Sequence, residues 1–432
     1  MERKLISGRR RVLFALALLV LVLPALTLTA SAGRPVGTPF PISAGTSSEA
    51  SPAAVYSSQS QEYMVAWYND LPGNDDIHVE RVSRDGKLLK HTCVACGPGA
   101  ERRYPDIAYN SKNNEYLVVW VEEDPSTGLT YVKGQRLAVD GTPKGSPINV
   151  FAAGAGYEIP AHPAVAYAYT SNKYLVVWQL PVIQPGGAVE GILGRIVNAD
   201  GSMPDPYFYI SVGSVGAPGQ QPDVAYNRHA NGFLVVWQQL IGGTTWSIYG
   251  QLLTGDGGIP PGFVPIQIAY YGVNCTAPAV AAIPTTPVAY KYLVVWEYEY
   301  APNDRDIYGK VVEENGTPYL SSTPISTTGD DESEPAVAGD EAGERYLVAW
   351  SQRKGTVDVP IHVQAVNRVG NLVYDKGEFG GPTAHYPAVA AGSAGTFLVA
   401  WQDKGVFATD TDILGQFWGN RVYVPLIFRN HH

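Results

Sequence analysis

Cysteine is scarce in this chain, which has three copies, Cys93, Cys96 and Cys275. Haem attachment requires a histidine directly after a Cys-x-x-Cys pair, and Gly97 stands there. A thioredoxin-like centre requires a βαβ unit that is missing, and a tetrahedral zinc site requires further ligands nearby. What remains is a local staple between Cys93 and Cys96 or a set of inert thiols, with Cys275 unpaired. Charge is sparse as well: 16% of residues are charged, the balance is −10, and no basic cluster with interleaved aromatics offsets it. Such a field repels phosphate-rich partners, so nucleic acid is not expected as a partner. Catalytic signatures are also missing, with no Gly-x-Ser-x-Gly elbow, no His-Glu-x-x-His pair and no phosphate-cradling glycine loop. Disorder is excluded by a hydrophobic content of 45%, and the 46 glycines and 33 prolines follow no collagen period, which suits many short strands and turns.

Residues 1–32 have the layout of a secretion leader: Lys4, Arg9, Arg10 and Arg11, an apolar run from Val12 to Leu28, then Ala30-Ser31-Ala32. Pro24 interrupts a run barely long enough to span a bilayer, so cleavage is expected in place of a membrane anchor. The arginines also match a twin-arginine signal loosely. The leader holds five basic side chains and one acid, so the remainder carries −14. A secreted or cell-surface protein with no membrane span is the expectation.

What is abundant is repetition. An aromatic residue, a few aliphatics and a tryptophan recur seven times, ending at Trp67, Trp120, Trp178, Trp237, Trp296, Trp350 and Trp401, with spacings of 51 to 59 residues. That period fits a four-stranded sheet module. A proline opens a small-residue segment before each copy, at Pro52, Pro105, Pro163, Pro222, Pro278, Pro335 and Pro387, and is read as the start of strand a. The aromatic-to-tryptophan segment is strand b, apolar on both faces and therefore covered on both. Strand c carries a central glycine in several copies, Gly134, Gly250, Gly309 and Gly415, read as room for a neighbour such as the strand b tryptophan. Val79 and Val363 replace it in repeats one and six, where looser packing is expected. Asp-Gly or Asn-Gly pairs, from Asp85-Gly86 to Asn315-Gly316, then turn the chain into strand d.

These repeats resemble the seven-bladed β-propeller class over residues 33–419, although the signatures of its named repeat families are missing. The resemblance implies an all-β fold of four-stranded antiparallel blades. Gly37 to Ser43 match a strand d with no a, b or c before it, so this N-terminal strand is expected to complete the last blade. Residues 420–432 form a tail in which Val422 to Phe428 are similar to a VYLPL-type ending of some exported bacterial proteins. A docking tail and an extra edge strand both fit it.

In a propeller the entrance to strand a and the b-to-c connection share one face, around the mouth of the central channel. The pre-proline residues Tyr104, His162, Gln221, Glu334 and Tyr386, with Arg103 and His385 just before two of them, are the candidate ligand-binding set. Aromatics beside hydrogen-bonding groups suit sugars or peptide side chains. Acidic b-to-c loops nominate Asp76, Asp306 and Asp412 as oxygen ligands, and no cofactor is expected apart from a structural calcium. The sequence is therefore read first as a secreted, non-catalytic scaffold that binds a carbohydrate or protein near the bacterial surface. The alternative is an extracellular polysaccharide-active enzyme, a glycoside hydrolase or lyase, pairing Glu334 with an acid from Glu122 to Asp124. A structural role in an envelope layer would rest on the tail.

Overall fold

Each aromatic-to-tryptophan segment is a strand sealed on both faces: Tyr116, Leu117, Val118, Val119 and Trp120 are all at or below 1% exposure. A strand buried on both sides must lie between two neighbouring sheets, and burying each such side chain is worth roughly 1.5–3 kcal/mol. In the computed structural model, the chain is described over residues 33–43, 47–71, 73–153, 160–184, 187–212, 217–283, 291–340, 345–355, 357–404 and 410–419. The leader, residues 1–32, and the tail, residues 420–432, lie outside the described residues.

Seven antiparallel four-stranded sheets are present. Blade one is typical, with strand a at Ser48–Ser57, b at Glu62–Asp70, c at Asp76–Ser83 and d at Leu88–Ala95. Among the described residues the one helical element is a 3₁₀ turn, Ser393–Gly395, and no helix is long and apolar enough to cross a membrane. Innermost strands pack side by side around a ring, and His385–Ala391 of blade seven meets Ser48–Ser57 of blade one. Seven apolar clusters fill the seven gaps between neighbouring blades. Arg34–Ser43 pairs antiparallel with Thr411–Gly419 and supplies the missing outer strand of blade seven, closing the ring.

Two expectations change in detail. Strand a does not begin at its proline: in blade one, pairing with strand b slips between Ala50 and Ala53, which puts Pro52 inside a bulge, where a residue without an N–H breaks no ladder bond. The strand c glycines make room for strand d and not for the tryptophan. A Cβ on Gly250, Gly309 or Gly415 would meet the Cδ1 of Ile268, Ile325 or Ile42 at 2.9, 2.8 and 2.7 Å. Nor are blades one and six loose, since Val79 is 0% and Val363 1% exposed. Blade six moves the small residue across the pair, setting Gly377 opposite Val363.

Candidate functional site

The seven bulges place one residue each in a conformation that side chains avoid. Ser51, Tyr104, His162, Gln221, Ala277, Glu334 and Tyr386, all directly before the strand a proline, have φ between 48° and 57°. A residue before proline is ordinarily extended, and left-handed backbone costs a non-glycine residue roughly 1–2 kcal/mol, so the surroundings must enforce this turn seven times. Its effect is to swing seven side chains to one end of the ring. All seven line a single cavity of about 710 Å³ at the channel mouth, joined by Tyr68, Asp70, Gln238, Glu297, Arg305 and Gln402 among others.

In four of the seven turns the holding contact comes from the blade before. The side chain directly after the strand b tryptophan accepts the N–H of the next blade's left-handed residue: Gln179 from Gln221 at 2.8 Å, Gln238 from Ala277 at 2.9 Å and Glu297 from Glu334 at 2.9 Å. In blade six Ser351 Oγ and Glu334 Oε2 both receive the Tyr386 N–H, at 3.2 and 3.0 Å. A backbone donor that the bulge has removed from its ladder is thereby satisfied.

The mouth has two unlike sides. Blades one to three present rings: Tyr68 and Tyr104 have centroids 6.4 Å apart, and Tyr104 and His162 lie 5.0 Å apart. Tyr104 is 39% exposed, leaving a face free for a flat apolar partner. Burial, then the nearby Asp70 charge, pushes the Tyr68 phenol up to about 12.

Blades five to seven present charge. Glu297 is buried and accepts from Arg305 Nη1 at 3.0 Å and Thr276 Oγ1 at 2.9 Å in addition to the Glu334 N–H. Arg305 also makes a two-pronged bond to Asp331, at 2.7 Å on each oxygen. Burial alone would raise Asp331, but the Arg305 bonds and charge hold it below the ordinary carboxylate range, and Asp331 with Glu297 raises the guanidinium in turn. Glu334 Oε2 accepts from Ser351 Oγ at 2.7 Å while its side chain stays 26% exposed. Glu334 is thus held at one oxygen and partly open to solvent at the cavity. The Glu334 charge, followed by burial, raises the Tyr386 phenol, which keeps that ring a proton-bearing donor.

Of the candidate set, Tyr104, His162, Gln221, Glu334 and Tyr386 converge on this cavity and Arg103 and His385 do not line it. Arg103 is bonded through Nε to the fully buried Asp75 at 2.6 Å. His385 Nδ1 stands 3.9 Å from Glu334 Oε2. The acids from Glu122 to Asp124 are not the partners of Glu334 either. Glu122 is tied to Arg102 at 3.0 Å and to Lys133 at 3.4 Å, and Asp70, Glu297 and Arg305 line the cavity in their place. Tyr68 and Glu297 carried a usable signal, because they directly follow a strand b tryptophan, where the aliphatic run breaks into polar or aromatic residues. The three oxygen-ligand candidates stand in three different blades. Asp76 Oδ1 accepts from Gly97 N–H at 3.0 Å and Arg102 at 3.1 Å, Asp306 is buried and pushed up to about 6 by burial and then by Asp304, and Asp412 is raised by burial, Asp410 and Asp403.

No protein-family model and no curated protein matches the chain. Solved structures share its ring. A protein of unknown function from Dyadobacter fermentans superposes with a TM-score of 0.55 at 10% identity, covering 91% of this chain and 99% of its own. An α-L-arabinanase of Penicillium chrysogenum, solved with arabinobiose, gives 0.52 at 12% identity over 88% and 97%. A Hadza microbial sialidase gives 0.50 at 13% identity over 82% and 76%. These likenesses bear on the propeller fold, whose count of seven blades comes from the strand pairing of this chain, and they correct the reading of the chain as a non-catalytic scaffold. Catalysts stand among the solved propellers of this shape, and a site assembled from one residue per blade leaves no contiguous motif, so the missing signatures excluded nothing.

Proposed function

We propose that the protein is a carbohydrate-active enzyme that cleaves a glycosidic bond in the cavity at the channel mouth. The observation that carries this reading is the convergence of Glu334, Asp70 and Glu297 with Tyr68, Tyr104 and Tyr386 on one space of about 710 Å³. Cavities of roughly 300–1,000 Å³ hold small ligands, here a few sugar units. Sugar faces are apolar and their rims are hydroxyls, which suits a mouth lined by both aromatic rings and carboxylates.

Glu334 is the first carboxylate of the reaction. Ser351 and the Tyr386 N–H hold one of its oxygens, so its rotamer is set before substrate arrives. Asp70, exposed on blade one, is the second, separated from Glu334 by blade seven. Glycoside cleavage asks for one group to protonate the leaving oxygen and another to serve as base or nucleophile on the opposite face of the sugar. Glu297, saturated by three donors and paired with Arg305, supplies fixed charge and holds the Glu334 backbone. The leader-like residues 1–32 and the likeness to polysaccharide-active propellers favour an exported enzyme acting on extracellular glycan.

The test is reducing-sugar release from a panel of polysaccharides, beginning with arabinan because the arabinanase was solved with arabinobiose. The wild-type chain should turn over at least one polymer, and E334Q and D70N should each lower kcat by roughly 100-fold or more, the scale of acid–base catalysis, with an unchanged melting temperature. Full activity in E334Q, or no turnover of any polymer by the wild type, would sink the reading.

A further inference from the structure

Blade one holds a second cluster, on its outer strands and away from the channel mouth. His78 of strand c lies directly across from Cys93 of strand d in the sheet register, and Trp67 of strand b lies directly across from His78 on its other side. Pairing slips between Ile77 and His78, where Val94 is the extra residue, and this bulge lets the chain reach Cys96 just beyond the strand. One ligand atom each from His78, Cys93 and Cys96 therefore lies within 4.8 Å of the others. Cys93 and Cys96 form a disulfide.

His78 is not explained by this staple alone. Its Nε2 is buried and meets no hydrogen-bond partner, a cost of about 1–3 kcal/mol for a polar atom shut away from water. Its Nδ1 is bonded to His91 Nε2 at 3.1 Å, and His91 Nδ1 lies 3.8 Å from Glu80 Oε2. A carboxylate behind an imidazole behind a second imidazole is the arrangement that orients a metal-binding histidine, whose outer nitrogen donates to a fixed acceptor while the inner one faces the ion. Trp67 stacks on the His78 ring at 5.9 Å and 20°, fixing its plane. Blade six repeats the stacked pair as Trp350 on His362, at 5.9 Å and 19°, but sets Glu378 where blade one has Cys93, so the cysteines are what set blade one apart.

We propose that, once the Cys93–Cys96 bond is reduced, blade one binds a thiophilic divalent cation such as zinc through Cys93, Cys96 and His78, with water as the fourth ligand and His91 as a positioning residue. Thiolate and imidazole ligands at about 2.3 and 2.0 Å in a tetrahedron stand roughly 3.5–3.8 Å apart, so three atoms already within 4.8 Å need move little. Cys96 is exposed, which gives an ion a way in. In chemical terms a dithiol reductant breaks the S–S bond, leaves as its own disulfide and yields two cysteine thiols. The incoming cation then displaces their two protons. The disulfide and the metal thus exclude each other, and the state of blade one reports the thiol poise around the protein.

The experiment uses the whole chain bearing Cys275→Ala, to remove the buried third thiol, with Co²⁺ as a spectroscopic probe and Zn²⁺ as its competitor. The reduced chain should take up one Co²⁺ with thiolate charge-transfer bands and the strong visible bands of a tetrahedral site, and Zn²⁺ should bleach them. The oxidised chain should show neither. H78A should weaken binding by 10-fold or more and lose the visible intensity, and H91A should weaken it by roughly 10–100-fold while the spectrum keeps its shape. Equal uptake by the oxidised chain, or by reduced H78A, would overturn the site. So would a reduced chain that keeps its β-sheet circular dichroism and takes up no Co²⁺, or one that unfolds on reduction and is not restored by Zn²⁺.

Discussion

Asp106 and Asp223 stand one residue after the strand a proline, a position that holds alanine in the other five blades. Each reaches the next blade: Asp106 Oδ2 accepts the Val165 N–H and Asp223 Oδ2 the Val280 N–H, both at 2.7 Å, satisfying donors on the inner edge of a strand. Burial raises Asp106 to about 7, with the Asp223 charge adding to it, and burial raises Asp223 to about 6. A raised carboxyl binds its proton more tightly in the folded chain than in the unfolded one. Its contribution to stability is therefore full below the unfolded value of 3.8 and is lost as pH climbs to about 7. D106N with D223N keeps an oxygen for each N–H and removes the titration. The double variant should flatten the fall in stability between pH 4 and pH 7 by several kcal/mol, at about 1.4 kcal/mol per pKa unit, read from denaturant midpoints across that range. An unchanged slope would show that the two carboxyls titrate as they do in the unfolded chain. Strand a's proline and the polar residue before it could be read in the sequence, but the left-handed turn at that residue could not. In four blades the N–H of that turn is held by an acceptor, such as Gln179 or Glu297, that belongs to a different repeat.

Within a blade, strands c and d are matched by volume. Val94, Val150, Ile210, Ile268, Ile325 and Ile42 each sit at a slip in strand d pairing and turn inward, all at or below 8% exposure. In five of these blades the opposing strand c position is glycine: Gly134, Gly194, Gly250, Gly309 and Gly415. Gly309→Val should overfill blade five and cost about 1–3 kcal/mol in denaturant unfolding, and adding Ile325→Ala should recover part of that loss. A neutral single substitution would mean that Ile325 does not set the requirement for glycine. The glycines were legible and their partner was misassigned, because the tryptophan is on the adjoining strand whereas the isoleucine reaches the glycine only through a bulge that leaves no mark in the alternation of residues. The turn pairs were easier. Gly86, Gly141, Gly201, Gly257 and Gly316 all take φ between 83° and 90°, as Asp-Gly and Asn-Gly pairs require.

For the whole molecule the decisive pairing joins residues nearly 400 positions apart. Arg34–Ser43 covers Thr411–Gly419 and helps bury Ile413, Phe417 and Trp418. Deleting residues 33–43 should leave an unpaired edge on blade seven, lower the melting temperature and make it concentration-dependent as open edges associate, and a peptide of residues 33–43 added in trans should reverse both effects. A truncated chain that melts like the intact one would show that blade packing alone holds the ring. Seven blades, their strand order and the strand that closes them followed from the sequence, since a recurring two-sided apolar strand can be buried only between neighbouring sheets. The tertiary structure alone decided the chemistry. Glu334, Asp70 and Arg305 come from blades six, one and five, and His78 lies across a bulge from Cys93, so each site is made by closure of the ring or by pairing within a sheet, and local sequence records neither.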